Sequence, residues 1–480
     1  MERARFAFMR SESQQAARDW AYEEFGHAEL GDVRRTDRIV RMAAALAEQP
    51  GGKVLDVFRS SAERQAAYDL LSNSRVRQEA MLAATETATV RRCSSAAWVH
   101  VVVDGTSLTL PDWKRQKDFG AVGSTLNGAR GLKVIHAYAV SADGTPIGVL
   151  NQQWWTRTAR KKRKDCQDRS LAEKETIHWV RSIGQATRAL VLGGSRAWFQ
   201  VDREGDRYWT LAALHRTGQR FTVRSTYAHR FVEDNVGRRQ RLRDVARKGR
   251  FRGIMSLDVP ARIHRKGRTA RLRIRTATVT LDMVETHSEQ RLSLPVNVVD
   301  VLEVGTAPRG EEPLHWRLLT NASVTSMRDV LEVIDGYTKR WRIEELHRVW
   351  KSGALRVEET QLRSASRVIK WAILAVVTAA RIERLRVLAR TRPDDSALGA
   401  FSQHELEALI LMKRRHAKRT ESIPDEIPTI AQAVRWLADL GGYAGHKSSG
   451  RPGAVTLRRG LQYITPVAAA LEALKAQGKL

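Results

Sequence analysis

Trp98-Val-His-Val-Val-Val-Asp104 (WVHVVVD, residues 98–104) is the stretch on which the fold turns. Trp98, His100, Val102 and Asp104 alternate with Val99, Val101 and Val103, so a strand here carries apolar side chains on both faces and ends on a carboxylate. Such a strand has to be covered on both sides. Downstream, Leu132 to Val140 meets Pro146 to Leu150 across Ala142-Asp143-Gly144-Thr145, and Asp-Gly between two apolar runs predicts a hairpin. A helical pattern spans Ala172 to Ala189. Short strands are predicted at Ala197 to Val201, ending on Asp202, and at Phe221 to Arg224. Strand, hairpin, helix, strand, helix, strand is an α/β order.

Working outward, the first ~80 residues read as helices. Trp20, Phe25 and Leu30 are apolar markers, and Asp32 is placed to cap a helix carrying Ile39, Val40, Ala43 and Leu46. Arg34, Arg35 and Arg38 lie in its first turns, where cations oppose the helix dipole. That position suits a phosphate contact as well as a solvated face. Residues 238–275 hold fifteen Lys and Arg against Asp244 and Asp258, and Arg271, Arg273 and Arg275 alternate with Leu272 and Ile274. A strand there presents one apolar and one basic face. Such density exceeds what a protected sheet edge needs and favours a DNA-backbone surface. Further strands are expected at Ala277 to Met283 and Val296 to Leu302. Beyond Val324 the pattern is helical: Ser366 to Val387 is apolar nearly all round and predicts a buried helix. Thr420 to Pro428 reads as a linker, and Thr465 with Pro466 as the start of a last helix running to about Ala476.

The 480 residues suffice for two or three domains, and 82 Lys and Arg against 53 Asp and Glu give a net charge of +29. An apolar content of 42% with 13 Trp excludes a disordered basic tail, and the charge calls for a polyanionic partner. Cys93 and Cys166 stand outside any C-x-x-C arrangement, which fits a reducing compartment. No apolar leader opens the chain, and its longest mainly apolar stretch, Trp371 to Ala380, falls short of the ~20 residues that span a bilayer. The expectation is a cytoplasmic protein without membrane contact.

Asp104 and Asp202 each end an apolar strand, where an unpaired carboxylate is costly. Glu344 lies in Tyr337-Thr-Lys-Arg340-Trp-Arg-Ile-Glu344-Glu-Leu-His-Arg-Val-Trp-Lys351. On one continuous helix Tyr337, Arg340, Glu344 and Lys351 would share a face. Three converging carboxylates suit Mg²⁺, and two such ions ~4 Å apart support in-line phosphoryl transfer. Arg340 and Lys351 could then hold substrate phosphates. Each residue alone also has a plain reading: a strand-end Asp as a cap, Glu344 and Arg340 as an ordinary ion pair. Glu204, Asp206 and Glu345 are neighbours that spacing does not exclude.

Tyr337-x-x-Arg340-x-x-x-Glu344-x-x-x-x-x-x-Lys351 resembles the tyrosine–arginine–glutamate–lysine signature of bacterial cut-and-paste DDE transposases of the insertion-sequence-four family. Leu30-Gly31-Asp32-x-Arg34-Arg35-Thr36, Asp104-x-Thr-Ser-Leu, Gln153-Trp154-Trp155, Glu173-Lys174-Glu175, Asp202-Arg203-Glu204 and Trp316-x-Leu-Leu-Thr follow the family order from about residue 20 to 351. The resemblance implies a ribonuclease-H-like core interrupted by a β-rich insertion, with helical N- and C-terminal domains. It implies Asp104, Asp202 and Glu344 as catalytic, metal-binding residues holding two Mg²⁺, with Mn²⁺ as a substitute. It further implies DNA contacts by Arg34, Arg35, Arg38, Arg224, Trp316, Tyr337, Arg340 and Lys351, with Trp316 on a flipped base. The expected activity is DNA strand nicking, a DNA hairpin intermediate, and joining of the 3′-hydroxyl ends to target DNA. Val33 departs from the family's pattern, which has proline there, and Arg157 to Lys164 is unusually basic.

The expected division is a DNA-end-binding domain at 1–80, the catalytic domain at 81–388 with its insertion at about 230–320, and a dimerising C-terminal domain at 389–480. The partners are double-stranded DNA, as transposon ends and target, and a second copy in the synaptic complex. The alternative is a catalytically inactive transposase-derived DNA-binding protein. An RNA-binding protein lacks any RNA module in this sequence.

Overall fold

The computed structural model describes residues 15–123, 128–157, 170–259, 267–305, 308, 311–417, 421–445 and 450–476. Part of the basic 157–164 segment, Cys166, and the cations at 262, 265 and 266 lie outside these residues. Cys93 is a buried free thiol.

The strand at 98–104 is the hub. It extends as β1 (Trp98–Thr109), pairing antiparallel with β3 (Arg130–Val140) and parallel with β5 (Arg196–Val201). β3 continues through the expected Asp-Gly turn into β4 (Pro146–Trp155), with Gly144 at φ 82°. That left-handed backbone is the reason a glycine is needed there. A two-residue strand, β2 (Gly120–Ala121), flanks β3, and β6 (Arg220–Arg224) lies parallel beside β5.

The insertion does not stand apart. β7 (Phe231–Asp234), β8 (Arg239–Arg241), β9 (Arg250–Val259), β10 (Arg268–Val284) and β11 (Arg291–Glu303) join the same sheet through β12 (His315–Thr320), which pairs antiparallel with both β11 and β6. Twelve strands thus form one mixed sheet among the described residues. The two strands expected at 277–283 and 296–302 are parts of the longer β10 and β11: the Arg-Leu-Arg-Ile alternation runs straight on into 277–283, and β11 pairs back along β10 from Val284↔Arg291 to Leu272↔Glu303.

The period of two on β1 separates two cores. Val99, Val101 and Val103 pack with Ile183 and Leu190 of the helix Thr176–Leu192, whereas Val102 and Leu108 pack with helices from both chain ends. The latter layer includes α1 (Gln15–Phe25), α2 (Val33–Glu48) and α3 (Ala365–Thr391), together with the helices Gln403–Arg415, Ile430–Leu440 and Ala454–Ala476. The expected helix through 366–387 is α3, and its Trp371 is fully buried with Nε1–H donating to Gly52 O at 2.8 Å. Two expectations are corrected. The last helix begins at Ala454, so Pro466 lies within it, and Thr465 donates its hydroxyl to Leu461 O instead of capping a start.

The second correction concerns 337–351. The stretch is two helices, α4 (Met327–Thr338) and α5 (Trp341–Lys351). At the junction Arg340 N–H bonds Tyr337 O and Ile343 N–H bonds Arg340 O, a tighter turn than α-helix. Gly336 lets α4 close on the sheet: a Cβ there would sit 2.9 Å from Gln200 Nε2 and 3.0 Å from His100. The bend then redirects α5 across β1.

Candidate active site

Strand alternation and register set Asp104 beside Asp202, and Arg340 ties Glu344 to the same region. On β1, Asp104 follows Val102 by two and therefore faces the α5 side of the sheet. On β5, Val201 pairs with Val103 in the parallel register, so Asp202 leaves its strand beside Asp104. Asp202 Oδ1 accepts the Glu204 N–H at 2.7 Å and caps a short 3-10 turn, so its plain role as a cap is real. Glu344, in the first turn of α5, reaches the same region by way of Arg340.

Arg340 is the hinge of the site. Its guanidinium is buried, with Nη2 donating to Glu344 Oε1 at 2.6 Å and Nη1 lying 3.8 Å from Asp104 Oδ2. The same group rests over the rings of Tyr337 (5.9 Å) and Trp341 (5.2 Å). Its Nε is buried without a hydrogen-bond partner. Tyr337 is buried in turn, and burial raises its phenol pKa. Despite the helix break, Tyr337, Arg340 and Glu344 remain contiguous.

Asp104 is 9% exposed and its pKa is pushed up to about 8. Burial is the main cause and repulsion by Asp202 adds to it; Arg340 and the Gly105 N–H, 2.8 Å from Oδ1, oppose it. A carboxylate in that state is short of cationic neighbours. The hard-oxygen donor set therefore fits Mg²⁺ chemically. Among the described residues, no three His, Cys, Asp or Glu side chains stand close enough to hold an ion between them. Glu344 is drawn to Arg340 instead, with its side chain 41% exposed.

The remaining expected residues fall into two groups. Lys351 Nζ lies 3.4 Å from the Oγ1 of Thr106, two residues beyond Asp104 on β1, and 3.6 Å from Glu358 Oε1. Trp316, half-buried on β12, meets the Tyr337 ring at 6.0 Å, and Arg224 on β6 donates to His315 O at 2.9 Å. These adjoin the carboxylate site. Arg34, Arg35 and Arg38 do not: they sit on α2, whose first turn is capped by Asp32 accepting from Arg34 N–H at 2.9 Å. Arg34 is exposed, whereas Arg35 folds back to donate to Leu30 O at 2.8 Å.

The neighbouring carboxylates separate cleanly. Asp206 is fully buried and holds Arg230 at 2.7 Å along with the Thr226 N–H at 2.8 Å. Glu345 is bound by Arg342 at 2.8 Å and Arg386 at 2.7 Å. Both are structural. Glu204 stays exposed next to Asp202.

Sequence reasoning missed a histidine pair. His136 is the cross-strand partner of Asp104, and its Nδ1 lies 3.0 Å from Nε2 of His347, three residues after Glu344 on α5. Burial lowers the pKa of His136 to about 3 and that of His347 well below the ordinary value, so both are neutral. The His347 spacing was a usable signal; the register that brings His136 to it was not.

Residues 17–76 match the family described as Transposase DNA-binding, and residues 377–475 match the Transposase Tn5 dimerisation domain. Together these support a Tn5-like transposase. The first match contains Arg34, Arg35 and Arg38 and supports DNA as a partner; the second supports a homodimer. No helix among the described residues is long and apolar enough to cross a membrane.

Proposed function

We propose that the chain is a cut-and-paste DNA transposase whose core is of ribonuclease-H type, with Asp104, Asp202 and Glu344 as its metal-binding catalytic residues. The observation that carries this reading is the parallel Val103–Val201 register, which sets Asp104 and Asp202 side by side, with Arg340 linking Asp104 to Glu344. The sheet order β4-β3-β1-β5-β6, in which β3 alone runs against the other four, supports the core assignment. Mg²⁺, or Mn²⁺ in its place, would be held by the three carboxylates and would supply activation of the attacking oxygen and charge stabilisation of the leaving one.

The chain's own residues then have distinct tasks. Residues 1–80 bind the inverted-repeat ends, 81–388 form the catalytic domain with its insertion, and 389–480 dimerise. Asp104 and Asp202 are held rigidly by adjacent strands, while the half-exposed Glu344 is free to leave Arg340. Released, Arg340 faces the phosphates of a bound end together with Lys351. Trp316, backed by Tyr337, offers a ring for a base displaced from the duplex during hairpin formation, a step whose unstacking costs a few kcal/mol. The freed 3′-hydroxyl then attacks target DNA.

A second reading, a catalytically inactive DNA-binding relative, draws on the ion pair that keeps Glu344 on Arg340. One assay separates the two. Cleavage of a duplex carrying the element's end, with Mg²⁺, should proceed for the wild type and fall at least about a hundredfold in Asp104→Asn. DNA binding with no cleavage by either protein would establish the inactive reading.

A further inference from the structure

The loop between β1 and β2 presents Trp113 at 95% exposure, more than any other large apolar side chain among the described residues. Full exposure of an indole is unfavourable unless something covers it. The loop around it is not slack. Asp112, its side chain 2% exposed, accepts the N–H groups of Gln116 (3.0 Å) and Lys117 (3.2 Å) on Oδ1 and Arg130 Nε on Oδ2 at 2.7 Å. Arg130 also donates to the carbonyls of Lys117 and Phe119, and Lys117 Nζ closes the loop onto Pro111 O at 2.7 Å. Phe119 is buried beneath. Arg115 takes a left-handed backbone, φ 51°, a strain that this bracing maintains. Lys114 and Arg115, exposed, follow the indole directly.

Both roots of the loop are fixed to elements of the candidate site. Thr109 N–H donates to Glu358 Oε1 at 2.8 Å, the oxygen that Lys351 approaches, and Asp118 Oδ1 accepts the Ala365 N–H at the start of α3. Five strand steps lead from Asp104 to Thr109, about 17 Å at the rise of a β-strand, so the loop leaves the sheet beyond the carboxylate end of the site. A rigid, solvent-facing indole followed by two cations, on a loop whose roots are tied to elements of the candidate site, matches the recognition chemistry of an unpaired nucleotide: a π-face for the base and cations for its phosphates.

We propose that residues 111–118 form a stacking platform on which Trp113 takes the face of an unpaired DNA base while Lys114 and Arg115 hold the adjoining phosphates. The proposal rests on the DNA-processing reading but not on catalysis. It is tested with the full-length chain by anisotropy of a labelled oligothymidylate strand and of a fully paired duplex of the same length. Trp113→Ala should weaken binding of the single strand about tenfold with the duplex affinity and melting temperature unchanged, and Trp113→Phe should restore most of the loss. Equal single-strand affinity in wild type, Trp113→Ala and Trp113→Phe overturns the platform, even where the wild type binds and cuts duplex ends. A wild type that binds neither DNA overturns this proposal and the DNA-processing reading together. Unchanged DNA affinity with a shift in oligomeric state on Trp113→Ala also overturns it, since the indole would then meet a second copy.

Discussion

The carboxylate end of β1 and the basic strands of the insertion lie in one sheet and treat charge in opposite ways. At β1, few charges are buried and each alters its neighbours: Asp104 is driven up to about 8 by burial and Asp202, and one guanidinium serves two carboxylates. Along β10, Leu272 and Ile274 are buried while Arg271 stays exposed, and several other cations are tied down locally. Arg268 pairs with Glu303, Arg275 donates to Gly249 O, and Arg252 donates to Thr276 Oγ1 and Val324 O. Desolvated charge is expensive and position-specific, whereas solvated charge is cheap and works collectively through its field. The first arrangement suits chemistry at one phosphate; the second suits a long polyanion.

The largest expected effect tests the desolvated end. Asp104 has a folded-state pKa above its unfolded value, so between about pH 4 and pH 8 the folded chain keeps a proton that the unfolded chain has lost. Stability from this group therefore falls as pH rises through that window, by several kcal/mol in all. Thermal melting should show Asp104→Asn gaining on the wild type as pH increases, and Mg²⁺ should stabilise the wild type at pH 8 but not the variant. Parallel melting curves across pH would place Asp104 in a solvated setting and dissolve the contrast.

A smaller loss is expected from Arg340→Ala. It leaves Asp104 buried without its counter-charge, for a cost of about 3 kcal/mol at pH 8 by denaturant unfolding. The deficit should shrink at pH 5, where Asp104 is protonated. A deficit independent of pH would mean that Arg340 acts by packing on Tyr337 and Trp341 alone.

The solvated strands should respond in a different currency. Arg271→Ala with Arg273→Ala should leave stability within ~0.5 kcal/mol. If both arginines contact phosphates, the slope of log affinity against log salt for duplex DNA should decrease by about 1.8. An unchanged slope would leave these arginines as protection for the sheet rather than a DNA surface.

Much of this contrast was legible from residue types and spacing. The alternation at 98–104 announced a doubly covered strand, Asp143-Gly144 announced the hairpin, and Arg271-Leu-Arg-Ile-Arg275 announced an amphipathic strand, because each depends on neighbours a few residues apart. Asp32 as a helix cap is equally local. The failures are those of range. A helical period through 337–351 concealed the bend after Thr338, where α4, held close to His100 and Gln200 of the sheet at Gly336, gives way to α5. The Pro466 start failed for the converse reason: the helix from Ala454 runs on through a residue that propensity marks as a beginning.

Sequence alone determined the alternation of apolar and charged positions, the basic balance and the residue types at 104, 202 and 344, since these are properties of the chain itself. Tertiary structure decided which of them meet. Strand register set Asp202 and His136 beside Asp104, the helix bend brought Arg340 between two carboxylates, and Asp206 and Glu345 were claimed by Arg230 and Arg386. Hydrogen-bonded register and burial depend on residues a hundred positions apart, and it is burial that turns an ordinary aspartate into one that keeps its proton.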